Sequence, residues 1–337
     1  MNLFEELKEM ICGKNIRLVF PEGNDERVLN AVNMLYRERL IAPILLGNID
    51  NINLLAERNG LTLDGIDVIN IEHYEYRKEM AKALFERRAG KLEEEEALAL
   101  TYDETYFGTM LVYMGMAEGM VSGAIHSTGD TVRPALQIIK TKPGIQRTSG
   151  AFLMLRGRDS NQERYLFADC AINVDPSAEE LADIALETAK TADLFGIEPR
   201  VAMLSFSTKG SGKGPMVEKV RKATQIAQEK NEYSRYLFDG ELQFDAAYSP
   251  ETARLKAPAS KVAGRSNVFV FPELQSGNIG YKIAQRLGGF EAIGPILQGL
   301  NKPISDLSRG ATVEDIYKLA IITAAQSLMN EGESYGS

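Results

Sequence analysis

The chain has 337 residues, a net charge of −9 and an apolar content of 44%, which is enough length for two domains of about 150 residues with substantial cores. The acidic balance excludes unspecific nucleic-acid binding, which needs a basic face. The cysteines, Cys12 and Cys170, lie far apart, so a reducing compartment is expected, with no disulfide framework, and no clustered Cys/His pattern suggests a structural zinc site.

Met1 to Leu7 reads as the start of an amphipathic helix, not as a signal peptide. No apolar run is long enough to span a membrane, and a cytoplasmic protein is expected. Strand and helix signals then alternate, so the expected fold class is α/β with a mainly parallel sheet. Ile16 to Phe20 is a strand that ends in Pro21-Glu22-Gly23. A helix from about Asp25 carries Val28, Leu29, Val32 and Leu35 on one face. Strands follow at Ile41 to Leu46 and Ile66 to Ile71, and a long helical region runs from Tyr74 to Leu100 with a break near Gly90. The acid run Glu93 to Glu96 reads as a solvated helix face.

Gly119 to Ile125 is the next strand. It opens into His126-Ser127-Thr128-Gly129-Asp130-Thr131-Val132-Arg133-Pro134, with a helix expected from Ala135. Short hydroxyl donors between a strand and a helix suit a phosphate; an ordinary capped loop would use the same residues. Phe152 to Leu155 and Tyr165 to Ala168 pair as a hairpin across Asp159-Ser160-Asn161, and Asp175-Pro176-Ser177 opens a long helix with Pro176 in its first turn. Val201 to Phe206 is a strand entering the loop Ser207 to Pro215, and a helix runs from Met216 to Lys230. Strands at Leu242 to Ala246, Val268 to Phe271 and Ile283 to Leu287 complete this half.

The Lys209 to Pro215 segment is not a P-loop, because Gly214 follows Lys213 and the glycine interval is wrong. No GxGxxG follows a strand and no GxSxG elbow occurs. His73 reads as a surface residue. His126 could serve acid–base chemistry or fix a loop, and Cys170 reads as a buried small hydrophobe. The stretch Ser305 to Ile316 places Ser308, Arg309 and Gly310 just ahead of a helix with apolar positions Val313, Ile316, Tyr317, Ala320, Ile321 and Ala324. Backbone N–H groups at such a terminus favour anions. Thr312 and Asp315 also have the spacing of a capping box.

The segments Phe20-Pro21-Glu22-Gly23, Gly123 to Thr128, Thr131-Val132-Arg133-Pro134, Phe167-Ala168-Asp169, Ser207 to Ser211, Asp239 to Ala247, Asn267 to Pro272, Ser276-Gly277-Asn278-Ile279 and Lys302 to Gly310, in this order, resemble the phosphotransacetylase (phosphate acetyltransferase) family. The resemblance implies two three-layer αβα domains with a cleft between them, similar to isocitrate and isopropylmalate dehydrogenases, and a homodimer. Domain I would take residues 1–147 and 303–337, and domain II residues 148–302. The implied activity is reversible acetyl transfer between coenzyme A and inorganic phosphate, with coenzyme A, acetyl-CoA, acetyl phosphate and phosphate as partners and no cofactor or metal. Ser308, Arg309 and Asp315 fall on the family's catalytic residues. Arg133 falls on a coenzyme A-binding arginine, and Arg88 matches a second by position, with Arg87 its rival. Ala311 stands where relatives can have cysteine, against a thiol nucleophile there. Ser127, Thr128, Ser207 and Thr208 are candidates for holding phosphate, and Asn278 joins the substrate-binding set. On this mechanism Asp315 takes the thiol proton, Arg309 stabilises the oxyanion and phosphate, and Ser308 orients. The alternatives are a phosphate butyryltransferase or other short-chain acyltransferase, a cleft dehydrogenase, and a non-catalytic acyl-CoA-sensing domain.

Overall fold

A computed structural model of the chain describes residues 2–157, 161–231 and 235–333, with backbone alone from 330. Contacts divide it into two compact units. A flanking unit takes Leu3–Lys142 and the chain from Leu300 onward, and an inserted unit takes Pro143–Gly299.

The flanking unit runs α1 (Leu3–Ile11), β1 (Arg17–Phe20), α2 (Glu26–Arg37), β2 (Ala42–Leu46), α3 (Ile49–Arg58), β3 (Asp67–Ile69), α4 (Arg77–Arg87), α5 (Glu94–Leu100), α6 (Glu104–Tyr113), β4 (Gly119–Ser122) and α7 (Thr128–Pro134), followed by a π turn at Ala135–Ile139. The inserted unit runs β5 (Ser149–Arg156), β6 (Glu163–Ala168), α8 (Ala178–Leu194), β7 (Arg200–Leu204), α9 (Pro215–Lys230), β8 (Leu237–Leu242), α10 (Phe244–Tyr248), α11 (Pro250–Lys256), β9 (Val268–Val270), α12 (Leu274–Arg286) and β10 (Glu291–Gln298). The chain then returns to the flanking unit through β11 (Ile304–Asp306) and α13 (Val313–Glu333).

The flanking sheet has the order β11-β4-β1-β2-β3 and is parallel throughout. Its inner strands are apolar runs buried on both faces, as a covered parallel sheet requires. The edge strand β3 is partly exposed. Helices α1, α2 and α13 pack together, and α6, α7 and the π turn form a second set that also reaches the inner strands. The inserted sheet is mixed, in the order β10-β5-β6-β9-β7-β8, with the expected β5/β6 hairpin antiparallel. Asp159 and Ser160 of its proposed turn lie outside the described residues.

Several expectations need correction. Residues 244–248 are helical, and the strand lies earlier, at Leu237–Leu242. Its apolar pattern is broken by Asp239 and Glu241, whose side chains hold a neighbouring loop. Ile283 to Leu287 belongs to the end of α12, since a short apolar run does not separate helix from strand. The true strand there, β10, is interrupted by Gly294-Pro295, which an edge strand with a register shift tolerates. Pro176 precedes the helix, because Ser177 and Glu180 form the capping box that starts α8. The segment expected to stay a loop until Ala135 turns helical at Thr128, where Ser127 and Asp130 cap it reciprocally.

Candidate active site

In the flanking sheet, β1 continues to β2 on one side while β4 and β11 lie on the other. The strand order therefore reverses between β1 and β4, and the crevice beyond their carboxyl ends is where an open α/β sheet binds ligands. The loops after β1, β4 and β11 meet there.

Glu22 organises the first two. It is 2% exposed, and its carboxylate accepts the backbone N–H groups of Gly123 (3.1 Å), Ala124 (2.9 Å), Ile125 (2.9 Å) and His126 (2.9 Å), together with His126 Nδ1 at 2.9 Å. Burial alone would push this carboxyl up, but the His126 imidazole and the backbone donors hold it below the usual range. The same bond to Glu22 raises His126. His126 Nε2 lies 3.8 Å from Glu104, whose own carboxyl is raised by burial. His126 thus fixes a loop. Gly123 is obligatory: at φ +111, a Cβ would sit 2.5 Å from the Leu307 carbonyl oxygen and 2.8 Å from Asp306 Oδ1.

The third loop joins the sheet through Leu307 N, which donates to the Ser122 carbonyl at 2.6 Å. Beyond it, Ser308, Arg309 and Gly310 are exposed. Ser308 Oγ accepts Gly310 N at 3.3 Å. The capping box forms: Thr312 N and Oγ1 each donate to Asp315 Oδ2 at 2.8 Å, and Asp315 N donates to Thr312 Oγ1 at 3.2 Å. Both bonds to the carboxylate among the described residues fall on Oδ2, and Oδ1 accepts none. Capping the helix thus uses one oxygen of the half-buried Asp315.

Asp306, at the end of β11, is 1% exposed with Oδ1 unpartnered among the described residues. Burial raises its carboxyl to about 6 against the opposing bonds from Thr128 and Thr131. Thr128 on α7 and the end of β11 are thereby joined through one buried group. Ser127 is occupied as a cap: its hydroxyl donates to Asp130 Oδ2 at 2.6 Å.

Arg88 and Arg133 are linked through one tyrosine. Both act electrostatically on Tyr106, whose hydroxyl is raised by burial and donates to Gln137 at 2.9 Å. Lys140 is held below its usual value, chiefly by Arg87 and then by burial, Lys91 and Arg88. Such crowding of cations is relieved by a polyanion. Arg87 is otherwise committed. Its guanidinium donates to the carbonyls of Ile138 (2.6 Å) and Ile139 (3.2 Å) and lies over the Tyr113 ring. Arg88 caps α4 and makes no side-chain hydrogen bond among the described residues.

The remaining candidates lie in the inserted unit. Ser207 Oγ donates to Glu241 at 2.9 Å, and Thr208 Oγ1 accepts Gln243 N at 2.9 Å. Glu241, 2% exposed, also accepts Gly210 N at 2.8 Å and Arg221 Nε at 3.0 Å. An anion of the chain itself thus occupies the centre of this loop. Asn278 Nδ2 donates to the Cys170 carbonyl at 3.1 Å, and its Oδ1 accepts Lys282 at 2.8 Å. Cys170 is buried, and burial raises its thiol.

Sequence reasoning gave no role to Glu22, Arg27, Asp306 or Glu241. Their common signal is a charged residue within a few positions of an apolar strand's carboxyl end. Periodicity does not register it, because most of the partners lie on loops and helices distant in sequence.

A family model described as phosphate acetyl/butaryl transferase matches residues 2–324. The chain is 56% identical to a phosphate acetyltransferase of Bacillus subtilis (strain 168), over 97% of this chain and 99% of that one. Its structure is similar to a phosphotransacetylase from Streptococcus pyogenes, with 62% identity, TM-score 0.93 and coverage of 97% and 98%. It is also similar to an EutD phosphotransacetylase from Staphylococcus aureus, with 54% identity, TM-score 0.91 and coverage of 96% and 98%.

Proposed function

The chain belongs to the phosphate acetyl/butaryl transferase family, and we propose that it is a phosphate acetyltransferase interconverting acetyl-CoA and phosphate with acetyl phosphate and coenzyme A. The observation that carries the site assignment is the loop after β11, which exposes Ser308 and Arg309 and runs directly into a capping carboxylate, Asp315, with one uncommitted oxygen among the described residues.

In the direction of acetyl-CoA formation, Asp315 Oδ1 takes the thiol proton of coenzyme A, giving the thiolate that is the competent nucleophile. The thiolate sulfur bonds to the acetyl carbonyl carbon. The bond from that carbon to the phosphate oxygen breaks, and its electron pair leaves on the phosphate. Arg309 stabilises the charge on the carbonyl oxygen and then on the departing phosphate. Ser308 orients the acyl group. In reverse, a phosphate oxygen attacks the thioester and Asp315 returns the proton to sulfur. Both substrates are bound together, no acyl-enzyme forms, and no cofactor or metal is needed.

Arg88 and Arg133 hold phosphates of coenzyme A in the cationic cluster around Tyr106. Thr128 and the first turn of α7 meet the transferred phosphate, while Ser207, Thr208 and Asn278 remain substrate-binding candidates carried by the inserted unit. An isocitrate dehydrogenase-like pair of αβα domains is the finer fold reading, with boundaries near 147 and 302. A homodimer is supported by the exposed apolar stripe Ile279 and Ile283 on α12 and Leu287 at its C-cap. Among the described residues no helix is long and apolar enough to cross a membrane, and a cytoplasmic location is proposed.

The deciding experiment measures acetyl-CoA formation from acetyl phosphate and coenzyme A, beside the same assay with butyryl phosphate. Preference for butyryl phosphate would move the reading to the butyryl branch, and no turnover with either would sink it.

A further inference from the structure

We infer that Arg27 is a positioning residue for acyl transfer, its guanidinium fixing the catalytic loop after β11 to the loop after β4. The inference rests on the functional reading above.

Arg27 opens α2 next to its cap Asp25, which accepts Arg27 N at 2.8 Å and Val28 N at 3.4 Å. The side chain points away from its own helix. Nε donates to Asp25 Oδ1 at 3.0 Å and Nη2 to Asp25 Oδ2 at 2.8 Å, so the carboxylate holds the fork from behind. Nη2 also donates to the Ala124 carbonyl at 2.8 Å. Nη1 donates to the carbonyls of Arg309 at 2.9 Å and Ala311 at 2.8 Å. One planar group thus joins three loops: after β1, after β4 and after β11.

Every N–H donor of the guanidinium is used in this set. A substrate phosphate could bind Arg27 only by displacing bonds already made, so Arg27 acts through the loop it holds. The carbonyls it fixes flank the peptide that carries Gly310. Arg309 sits at one end and the residue before the Thr312–Asp315 cap at the other. Clamping both carbonyls sets where the Arg309 side chain leaves the backbone and where the capped carboxylate faces. Lysine cannot replace it, since a point ammonium lacks a fork matched to several acceptors in fixed directions.

The test uses Arg27→Lys and Arg27→Ala in the full chain. Misplacing reacting groups by about 1 Å can cost on the order of 100-fold, so kcat for acetyl-CoA formation is expected to fall roughly 10- to 100-fold in both. KM for coenzyme A should change by less than about twofold, because Arg88 and Arg133 are untouched. Methylguanidine should restore part of the Arg27→Ala rate. Amide hydrogen exchange at Gly310 and Ala311 should quicken in both variants, which reads the positioning without turnover. Near-normal kcat in Arg27→Lys, or unchanged exchange at those amides in folded protein, would overturn the inference. An inactive wild-type enzyme whose loop exchange still responds to Arg27→Lys would instead sink the functional reading and leave the clamp standing.

Discussion

Each unit builds a strand-end loop around a buried carboxylate, and the two differ in what balances the charge. In the flanking unit, Glu22 collects the N–H groups of Gly123 to His126 and is paired with an imidazole. In the inserted unit, Glu241 takes Gly210 N, the Ser207 hydroxyl and the Arg221 guanidinium. The Arg221 pairing is permanent at any ordinary pH, whereas the His126 pairing titrates. The neighbours differ as well. The Glu22 loop lies against the β11 loop through Ser122, Gly123 and Leu307, so disturbing it should disturb chemistry. The Glu241 loop is closed on itself, so disturbing it should first cost stability.

The largest effects should come from the loop beside Glu22. Asp315→Asn keeps an acceptor for Thr312 but cannot take a proton. It should stay folded, bind both substrates and lose roughly 10²–10⁴-fold in kcat, with the residual rate rising with pH as solvent deprotonates the thiol. If Asp315 were a cap alone, the loss would be about 1 kcal/mol of stability with kcat preserved. Arg309→Ala should lose about 100-fold or more in kcat with KM little changed, the mark of a transition-state contact. Steady-state kinetics on folded protein check both.

Next come the carboxylates themselves. Glu22→Gln turns an amide donor toward the Ala124 N–H, now held by Oε2 at 2.9 Å. A cost of about 3 kcal/mol in urea unfolding is expected, together with a lower kcat. Arg221→Met leaves the buried Glu241 without its cation and should lower the urea midpoint, by less than Glu22→Gln because the guanidinium is partly exposed, with kcat also changed less. Equal loss of kcat in the two variants would erase the distinction drawn between the loops.

How much of this the sequence displays depends on the range of the interaction. Strand β1, helix α2 and the reciprocal cap of Thr312 and Asp315 are local, set by apolar spacing and by a side chain bonding a backbone three positions away. They are legible in the chain as written. Strand β10 is not, because its edge position excuses a Gly-Pro pair that would forbid an inner strand. The Glu22 network is not either: its partners lie 101 to 104 residues on. Arg27 and Arg309 are 282 residues apart. Local pattern shows that these residues are polar near a strand end, and only the fold shows what they hold. The doubled arginine is an intermediate case. Sequence position offers Arg87 and Arg88 alike, and only the fold shows that the π-turn carbonyls occupy Arg87.

That case gives a smaller effect. Arg133→Ala and Arg88→Ala should raise KM for coenzyme A about tenfold and change kcat less, since phosphates remote from the thiol bind almost equally in ground and transition states. Arg87→Ala should show its loss mainly in stability, through the freed carbonyls of Ile138 and Ile139. A KM effect larger for Arg87→Ala than for Arg88→Ala would reverse the assignment.

The smallest effect isolates the titratable partner. The His126 pKa is raised from 6.5 in the folded chain by its bond to Glu22. Its contribution is therefore complete below the unfolded value and fades as pH rises through the folded one. Glu22, lowered from 4.5, contributes above its unfolded value and loses that contribution as pH falls through the folded one. The pair is thus at full strength between about 4.5 and 6.5. Glu241, lowered from 4.5 to about 2, fades only on the acid side, because Arg221 keeps its charge. Wild-type protein should accordingly lose stability between about pH 6 and about pH 9 by on the order of 1 kcal/mol or less, the half-buried imidazole being partly screened. His126→Gln should flatten that alkaline decline by retaining a neutral donor toward Glu22, at the expense of stability near pH 6. Arg221→Lys should leave the decline in place. Urea midpoints at both pH values check this, and an unchanged alkaline decline in His126→Gln would mean that the imidazole is not what distinguishes the two loops.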